Sequence, residues 1–90
     1  MQFAELDDEA VARTAREHPA VLRVADLARA TGVSVDTIRF YQKRRLLPPP
    51  RREGRVAWYG PEHEERLARI RDLQDRGLSL ALIRRLLDGE

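Results

Sequence analysis

The sequence has no cysteine and no long apolar run, and each absence excludes a class of protein. Without cysteine among its 90 residues, the chain cannot form disulfides, thiolate zinc sites or cysteine-ligated iron–sulfur clusters. No apolar run approaches the roughly 20 residues that a membrane-spanning helix requires. The acidic N-terminus also lacks the cationic start of a signal peptide. We therefore expect a cytoplasmic protein that uses no membrane, metal or cofactor.

Lysine is nearly absent as well, and the positive charge is concentrated in the middle of the chain. Residues 1–22 contain two cations and five acids, residues 23–59 contain nine cations and three acids, and residues 60–90 contain six cations and seven acids. A chain of this length predicts one small domain. The net charge of +2 therefore conceals a basic centre between two acidic ends.

Apolar spacing and helix-capping residues predict a mainly α fold. A first helix is expected at about 5–17, in an N-terminal extension covering residues 1–21. The remaining helices are expected at about 24–30 and 35–45, from Pro61 to Arg76, and after a cap at Ser79. Between them, residues 51–60 have a turn signal at Glu53–Gly54 and strand-prone residues after it, which predicts a two-stranded ribbon. Residues 22–88 are expected to form the domain.

The segment from Thr31 to Arg45 predicts a helix-turn-helix. Thr31–Gly32 ends one helix and Ser34 caps the next, which is the tight glycine turn that this motif uses. Helical spacing places Ile38, Tyr41 and the stem of Arg45 on one face, which is expected to pack. The opposite face is expected to be presented to a partner; it contains Asp36, Arg39, Phe40 and Lys43.

The basic ribbon strengthens the prediction that this motif binds DNA. A helix-turn-helix alone is also compatible with a generic helical hairpin that has a solvated charged face. The ribbon at residues 51–60 would be a cationic hairpin, called the wing below, and it would contact the DNA backbone beside the helix. The combination predicts a winged helix-turn-helix followed by a helix pair.

At residues 22–88 the sequence resembles the DNA-binding domain of the MerR family of bacterial transcription regulators. The family pattern "VS..T(I/L)RYYE" is matched by "VSVDTIRFYQ", and "G.SL..I..LL" is matched by "GLSLALIRRLL". The resemblance implies that the first two residues of Arg39–Phe40–Tyr41 face DNA and that the third supports the core. It also implies double-stranded DNA as the partner, with RNA polymerase at the promoter and a homodimer in the full-length protein.

The motif and the resemblance together give a set of candidate DNA-binding residues. They are Ser34, Val35, Asp36, Thr37, Arg39, Phe40, Lys43, Arg51, Arg52 and Arg55.

Two departures from the family pattern affect this set. Phe40 replaces the usual tyrosine and lacks a hydroxyl for a phosphate, which leaves apolar contact with a sugar or a thymine methyl. The wing has Ala57 where the family has arginine, so Arg55, Arg51 or Arg52 must supply any phosphate contact.

Two other functions remain open from the sequence. An excisionase-like architectural factor has a similar small winged domain, and a helical protein-interaction module would use the apolar residues of the last helix. Members of the family usually continue into a long helix that pairs antiparallel with the same helix of a second subunit, and no such helix is found before Glu90. This fits either part of a longer regulator or a small free-standing member. The chain as given is therefore expected to be monomeric.

Catalysis is not expected, and several other conspicuous residues have plainer explanations. The carboxylates after Pro61 lie at a helix N-terminus, where the helix dipole favours them, and no nucleophile accompanies them. His18 and His63 have no spaced metal-ligand partner and are expected to be structural or solvated. Arg66 is expected on a solvated face with Glu62 as its partner. Trp58 is expected in the core of the wing, with DNA contact as the alternative.

Overall fold

In the computed structural model of the protein, residues 21–89 are described, and they form four helices and one two-stranded antiparallel sheet. In chain order these are α1 (Val24–Thr31), α2 (Val35–Lys43), β1 (Arg51–Glu53), β2 (Val56–Trp58), α3 (Pro61–Asp75) and α4 (Leu80–Leu87). This confirms the predicted mainly α winged architecture. The predicted helix at 5–17 lies outside the described residues. None of the helices at 21–89 is long and apolar enough to cross a bilayer.

One apolar core joins all four helices to the base of the hairpin. Removing this much apolar surface from water is the main stabilising term for so small a domain. The helix-turn-helix, the wing and the helix pair therefore stabilise one another. The buried members of the core are Leu27, Ile38, Tyr41, Leu46, Leu47, Tyr59, Leu67, Ile70 and Ile83.

Helix α2 ends earlier than predicted, at Lys43 rather than Arg45. Arg45 has a φ of 60°, and this left-handed conformation turns the chain so that Leu46 and Leu47 fold back into the core. The prediction that the stem of Arg45 packs beside Tyr41 was therefore wrong, because Arg45 follows the helix end and is exposed.

The prediction for Arg66 was also wrong. Its Nε donates to the carbonyl oxygen of Leu46 at 2.7 Å, and its Nη2 donates to Asp88 Oδ1 at 3.2 Å. Arg66 therefore connects α3 to the segment after α2 and to the end of α4. Residues distant in sequence supply these acceptors, which is why local spacing pointed to Glu62 instead.

The hairpin is attached to the helices through its second strand. Arg51 pairs with Trp58 and Glu53 with Val56, so two residues form the turn. Beyond β2, Tyr59 makes a bridge with Leu22, in which the backbone N–H of each donates to the carbonyl oxygen of the other, with nitrogen–oxygen distances of 2.9 and 2.7 Å. This bridge places the chain that enters α1 beside the base of the wing.

Candidate nucleic-acid interface

The turn between α1 and α2 is built by two residues with well-defined local roles. Gly32 has a φ of 75° and its N–H donates to the carbonyl oxygen of Ala28 at 2.8 Å, which ends α1. Ser34 then caps α2, because its Oγ accepts from the N–H of Thr37 at 3.1 Å. Glycine is favoured at such a φ and serine at such a cap. The predicted turn and cap are therefore confirmed.

Helix α2 has one buried and one exposed face, as predicted. Ile38 is fully buried, and Tyr41 is buried with its hydroxyl donating to Gln74 Oε1 on α3 at 3.2 Å. Arg39 and Lys43 are exposed on the other side. The contact with α3 fixes the rotation of α2 about its axis, so these two cations are held in a defined direction.

Phe40 is an exposed aromatic residue beside this cationic face. Its side chain is 41% exposed, and the Arg44 guanidinium lies 5.0 Å from the ring centroid. A cation over an aromatic face is a favourable arrangement at a surface. Phe40 therefore offers an apolar ring edge with a cation already placed beside it.

The charged residues of the wing lie on its first strand and in its turn, and none lies on β2. Arg51 and Arg52 on β1 are exposed, and Arg55 lies in the turn after Gly54, whose φ is 60°. Arg51 Nη1 donates to Glu53 Oε2 on the same strand at 2.5 Å. Of the three predicted wing cations, Arg51 is thus engaged with a carboxylate of the wing itself.

A groove of about 410 Å³ lies between α2 and the wing. It brings together four of the predicted site residues from two different elements, and the other six lie outside its lining. Those six are Ser34, Val35, Asp36, Thr37, Phe40 and Arg51. The residues that line it are Arg23, Val24, Arg39, Gln42, Lys43, Arg52, Arg55, Ala57 and Tyr59.

Five cations line this groove, and no ion pair within residues 21–89 neutralises them. They are Arg23, Arg39, Lys43, Arg52 and Arg55. Within residues 21–89, none of the five has a carboxylate oxygen within the 4.0 Å that defines an ion pair. By contrast, Arg29, Arg66, Arg76 and Arg84 each pair with an aspartate. Several uncompensated like charges around one concavity produce a positive potential that attracts anions. The groove is therefore suited to a polyanion.

Sequence reasoning missed five residues that line the groove, and two of these, Arg23 and Gln42, have polar side chains that could contact a ligand. Gln42 accepts a hydrogen bond from the Tyr59 hydroxyl at 3.0 Å, which ties α2 to the base of the wing. It follows Arg39 by three positions, so helical spacing could have found it. Arg23 had no such local signal, because its place depends on the pairing of Leu22 with Tyr59.

Trp58 supports the rim of the groove and is not part of the main core. Its side chain is half-buried on β2, and the Arg23 guanidinium lies 5.5 Å from its ring centroid. The tryptophan therefore positions one of the groove's cations by packing under it. Its Nε1 is buried and has no hydrogen-bond partner in the part of the chain that the structure describes.

Comparison of the sequence with known proteins supports the resemblance to the MerR family. Residues 22–90 match the family described as MerR HTH family regulatory protein. The HTH-type transcriptional regulator ZntR homolog of Haemophilus influenzae is 39% identical over 70 residues, which cover 77% of this chain and 52% of the relative. The mercuric resistance operon regulatory protein of Serratia marcescens is 40% identical over 67 residues, which cover 73% and 46%.

A solved structure agrees with this grouping. The transcription regulator PbrR691 from Ralstonia metallidurans CH34, determined in complex with lead(II), superimposes with a TM-score of 0.73 at 36% identity. The match covers 76% of this chain and 54% of that one. The chain thus spans about half the length of the relatives it matches. The resemblance inferred from the motifs at residues 22–88 is confirmed: the chain belongs to the MerR family of helix-turn-helix transcription regulators, a membership that implies DNA binding.

Proposed function

We propose that this domain binds double-stranded DNA sequence-specifically, with α2 in the major groove and the wing on the adjacent phosphate backbone. The observation that carries the proposal is the groove that brings together five cations from α2, the wing and the start of α1, none of which is paired with a carboxylate of the described residues 21–89. Phosphates would supply the missing negative charge. Counterion release from the DNA would add to the affinity.

The exposed face of α2 has the chemistry needed to read bases. An arginine such as Arg39 can donate two hydrogen bonds to the O6 and N7 of guanine, and an apolar ring such as Phe40 can contact a thymine methyl. Ser34, Val35, Asp36 and Thr37 occupy the cap and first turn of α2, the end of a recognition helix that contacts base edges in this motif. In this arrangement Lys43, near the other end of the helix, contacts a phosphate.

The wing has the chemistry for backbone contact. Arg52 lies on β1 and Arg55 in the two-residue turn, and both line the groove that α2 forms with the wing. Phosphate contacts of this kind fix the register of the protein on DNA without reading sequence. Arg51 contributes less in this proposal, because Glu53 already engages its guanidinium.

The regulatory action of the whole protein follows from family membership and stays a proposal. Two such domains would bind a palindromic promoter site, and distortion of the bound DNA would let RNA polymerase engage both promoter elements. The matched relatives are about twice as long as the aligned region. In this proposal, dimerisation and signal sensing belong to the whole regulator, and the described domain supplies the DNA binding.

The test is a titration of the wild-type chain and an Arg39→Ala variant with two duplexes of equal length. One duplex carries a site selected from a random pool by the wild-type chain, and the other has random sequence. If Arg39 contacts a phosphate, both affinities should fall; if it reads guanine, discrimination at one base pair should relax. Arg85→Ala is the matched control, because Arg85 is exposed on α4 and outside the groove lining.

The salt dependence of wild-type binding provides a second measurement. Each phosphate that the protein neutralises contributes about −0.9 to the slope of log K against log salt. Binding that is insensitive to salt, or that is unchanged in Arg39→Ala on both duplexes, would contradict the assignment of α2 as the recognition helix. A loss in Arg85→Ala equal to that in Arg39→Ala would mean that charge alone, and not the groove, decides binding.

A further inference from the structure

The end of α2 is formed by an arginine in a backbone conformation that favours glycine. Arg45 has a φ of 60°, and its N–H donates to the carbonyl oxygen of Gln42 at 3.1 Å. The N–H of Leu46 donates to the carbonyl oxygen of Tyr41 at 2.9 Å. These two hydrogen bonds define a Schellman motif, in which the left-handed residue is usually glycine.

The other three helices of the described domain end on glycine. Gly32, Gly77 and Gly89 follow α1, α3 and α4 with φ values of 75°, 93° and 84°. Gly77 is the matched case, since its N–H donates to the carbonyl oxygen of Gln74 and that of Leu78 to Leu73, at 2.9 and 3.2 Å. A side chain at this φ is strained because its Cβ approaches the following carbonyl oxygen. Arg45 alone, among these four ends, has that strain.

No contact of Arg45 within the described residues offsets the strain. The side chain is exposed, and no carboxylate of residues 21–89 lies within ion-pair distance of it. Asp88 lines the same surface depression as Arg45, but its carboxylate oxygens lie 3.2 Å from Arg66 and 3.7 Å from Arg84. The fold needs the left-handed conformation, which directs Leu46 and Leu47 into the core, but glycine would adopt it without strain. Strained residues are found preferentially at functional sites.

The position of Arg45 next to the cationic groove suggests what function this strained residue has. It lines a second groove of about 550 Å³ that runs along Pro48, Pro49 and Pro50. Gln42 and Arg52 line both this groove and the cationic groove between α2 and the wing. The two depressions are therefore adjacent. Arg45 extends past the end of α2 the row of cations that have no ion-pair partner among residues 21–89.

We propose that Arg45 is a further DNA-binding residue, which contacts a backbone phosphate flanking the segment read by α2. This inference rests on the proposed function. A phosphate would form charge-assisted hydrogen bonds with the guanidinium, and these offset the strain of the left-handed conformation only when DNA is bound. Stability of the free domain and affinity for DNA should then respond in opposite directions to the same substitution.

The test is Arg45→Gly, studied by thermal melting and by DNA titration on the selected and random duplexes. Relief of the strain should raise the melting temperature by about 4–8 °C, the shift that about 1 kcal/mol produces in a domain of this size. Affinity should fall on the order of tenfold on both duplexes, because one charge-assisted contact is lost. The salt slope should become shallower by about 0.9.

Three further variants separate strain from charge. Arg45→Gln keeps the strained backbone and removes the charge, so the melting temperature should stay and the affinity should fall. Arg45→Lys keeps the charge and should retain most of the salt slope. Gly77→Ala introduces the strain at the equivalent end of α3, so it should lower the melting temperature and leave the salt slope unchanged.

Two results would overturn the inference. If Arg45→Gly raises the melting temperature but leaves affinity and salt slope unchanged while Arg39→Ala weakens binding, the DNA-binding role of Arg45 is wrong and the proposed function stands. If the wild-type chain shows no salt-dependent affinity for either duplex, the proposed function fails and the role of Arg45 fails with it.

Discussion

His63 provides the sharpest test of how the wing and the helices are held together. Its side chain is buried, with 1% of its surface exposed. Nδ1 accepts from the N–H of Gly60 at 3.0 Å, and the Nε2–H donates to the carbonyl oxygen of Pro49 at 3.3 Å. The ring also meets Tyr59 edge-on, with 5.0 Å between centroids. Replacement by leucine introduces an apolar side chain of similar size and removes both hydrogen bonds.

The expected cost of His63→Leu can be worked out from these contacts. Gly60 is buried, so its N–H would lose its acceptor without access to water, at about 1–3 kcal/mol. Pro49 is exposed, so water can replace the lost donor and the cost there is about 0.5–1 kcal/mol. The free energy of unfolding should therefore fall by about 1.5–4 kcal/mol. In a domain of this size, where about 1 kcal/mol shifts the melting temperature by about 4–8 °C, that lowers it by about 6–32 °C.

The measurement is urea and thermal unfolding of His63→Leu, His63→Gln and a control. His63 occupies the third position of α3, where glutamine commonly accepts the hydrogen bond of the capping residue. His63→Gln should therefore recover part of the loss through Gly60. Glu65→Leu makes a comparable polar-to-leucine change at an exposed neighbour and should shift the free energy of unfolding by less than about 0.5 kcal/mol.

A His63→Leu variant as stable as Glu65→Leu would refute the reasoning, since burial of an unpaired Gly60 N–H would then carry no cost. If glutamine and leucine were equally destabilising, the ring packing against Tyr59 would be the dominant contribution and the hydrogen bond to Gly60 a minor one.

Two other predictions concern the turn and self-association. Gly32→Val should lower the free energy of unfolding by at least about 1–2 kcal/mol, because a residue with a side chain is strained at the φ of 75° found there. The added Cβ would itself contact only side-chain nitrogens of Arg71, at 3.7 and 3.9 Å. Urea unfolding measures this, and wild-type stability would mean that the left-handed turn has been misplaced. The chain should be monomeric at micromolar concentration. Helix α4 has eight residues and exposes Leu82 and Leu86, and this apolar strip is too short to form a coiled coil. Sedimentation of the free chain, compared with titration of duplexes carrying one and two half-sites, tests it; a tight dimer without DNA would contradict it and direct attention to residues 3–17.

Local features of the sequence were sufficient to predict helix α2 and its exposed face. Gly32 and Ser34 determine the turn and the cap through their own backbone and side-chain preferences. The 3.6-residue period then decides that Ile38 and Tyr41 face inward while Arg39 and Lys43 face outward. Each of these signals acts within a few residues, so the sequence could be interpreted without knowledge of the remaining chain.

Only the tertiary structure decided which cations meet. Arg23 joins Arg39 and Arg52 because Leu22 pairs with Tyr59, a contact across 37 positions of sequence that no local pattern encodes. Arg66 had an obvious local partner in Glu62 and instead bonds Leu46 and Asp88. Such long-range contacts depend on how the apolar faces pack. A one-dimensional pattern therefore identified the exposed face of α2, while packing of the wing against α1 and α2 made that face one side of a groove.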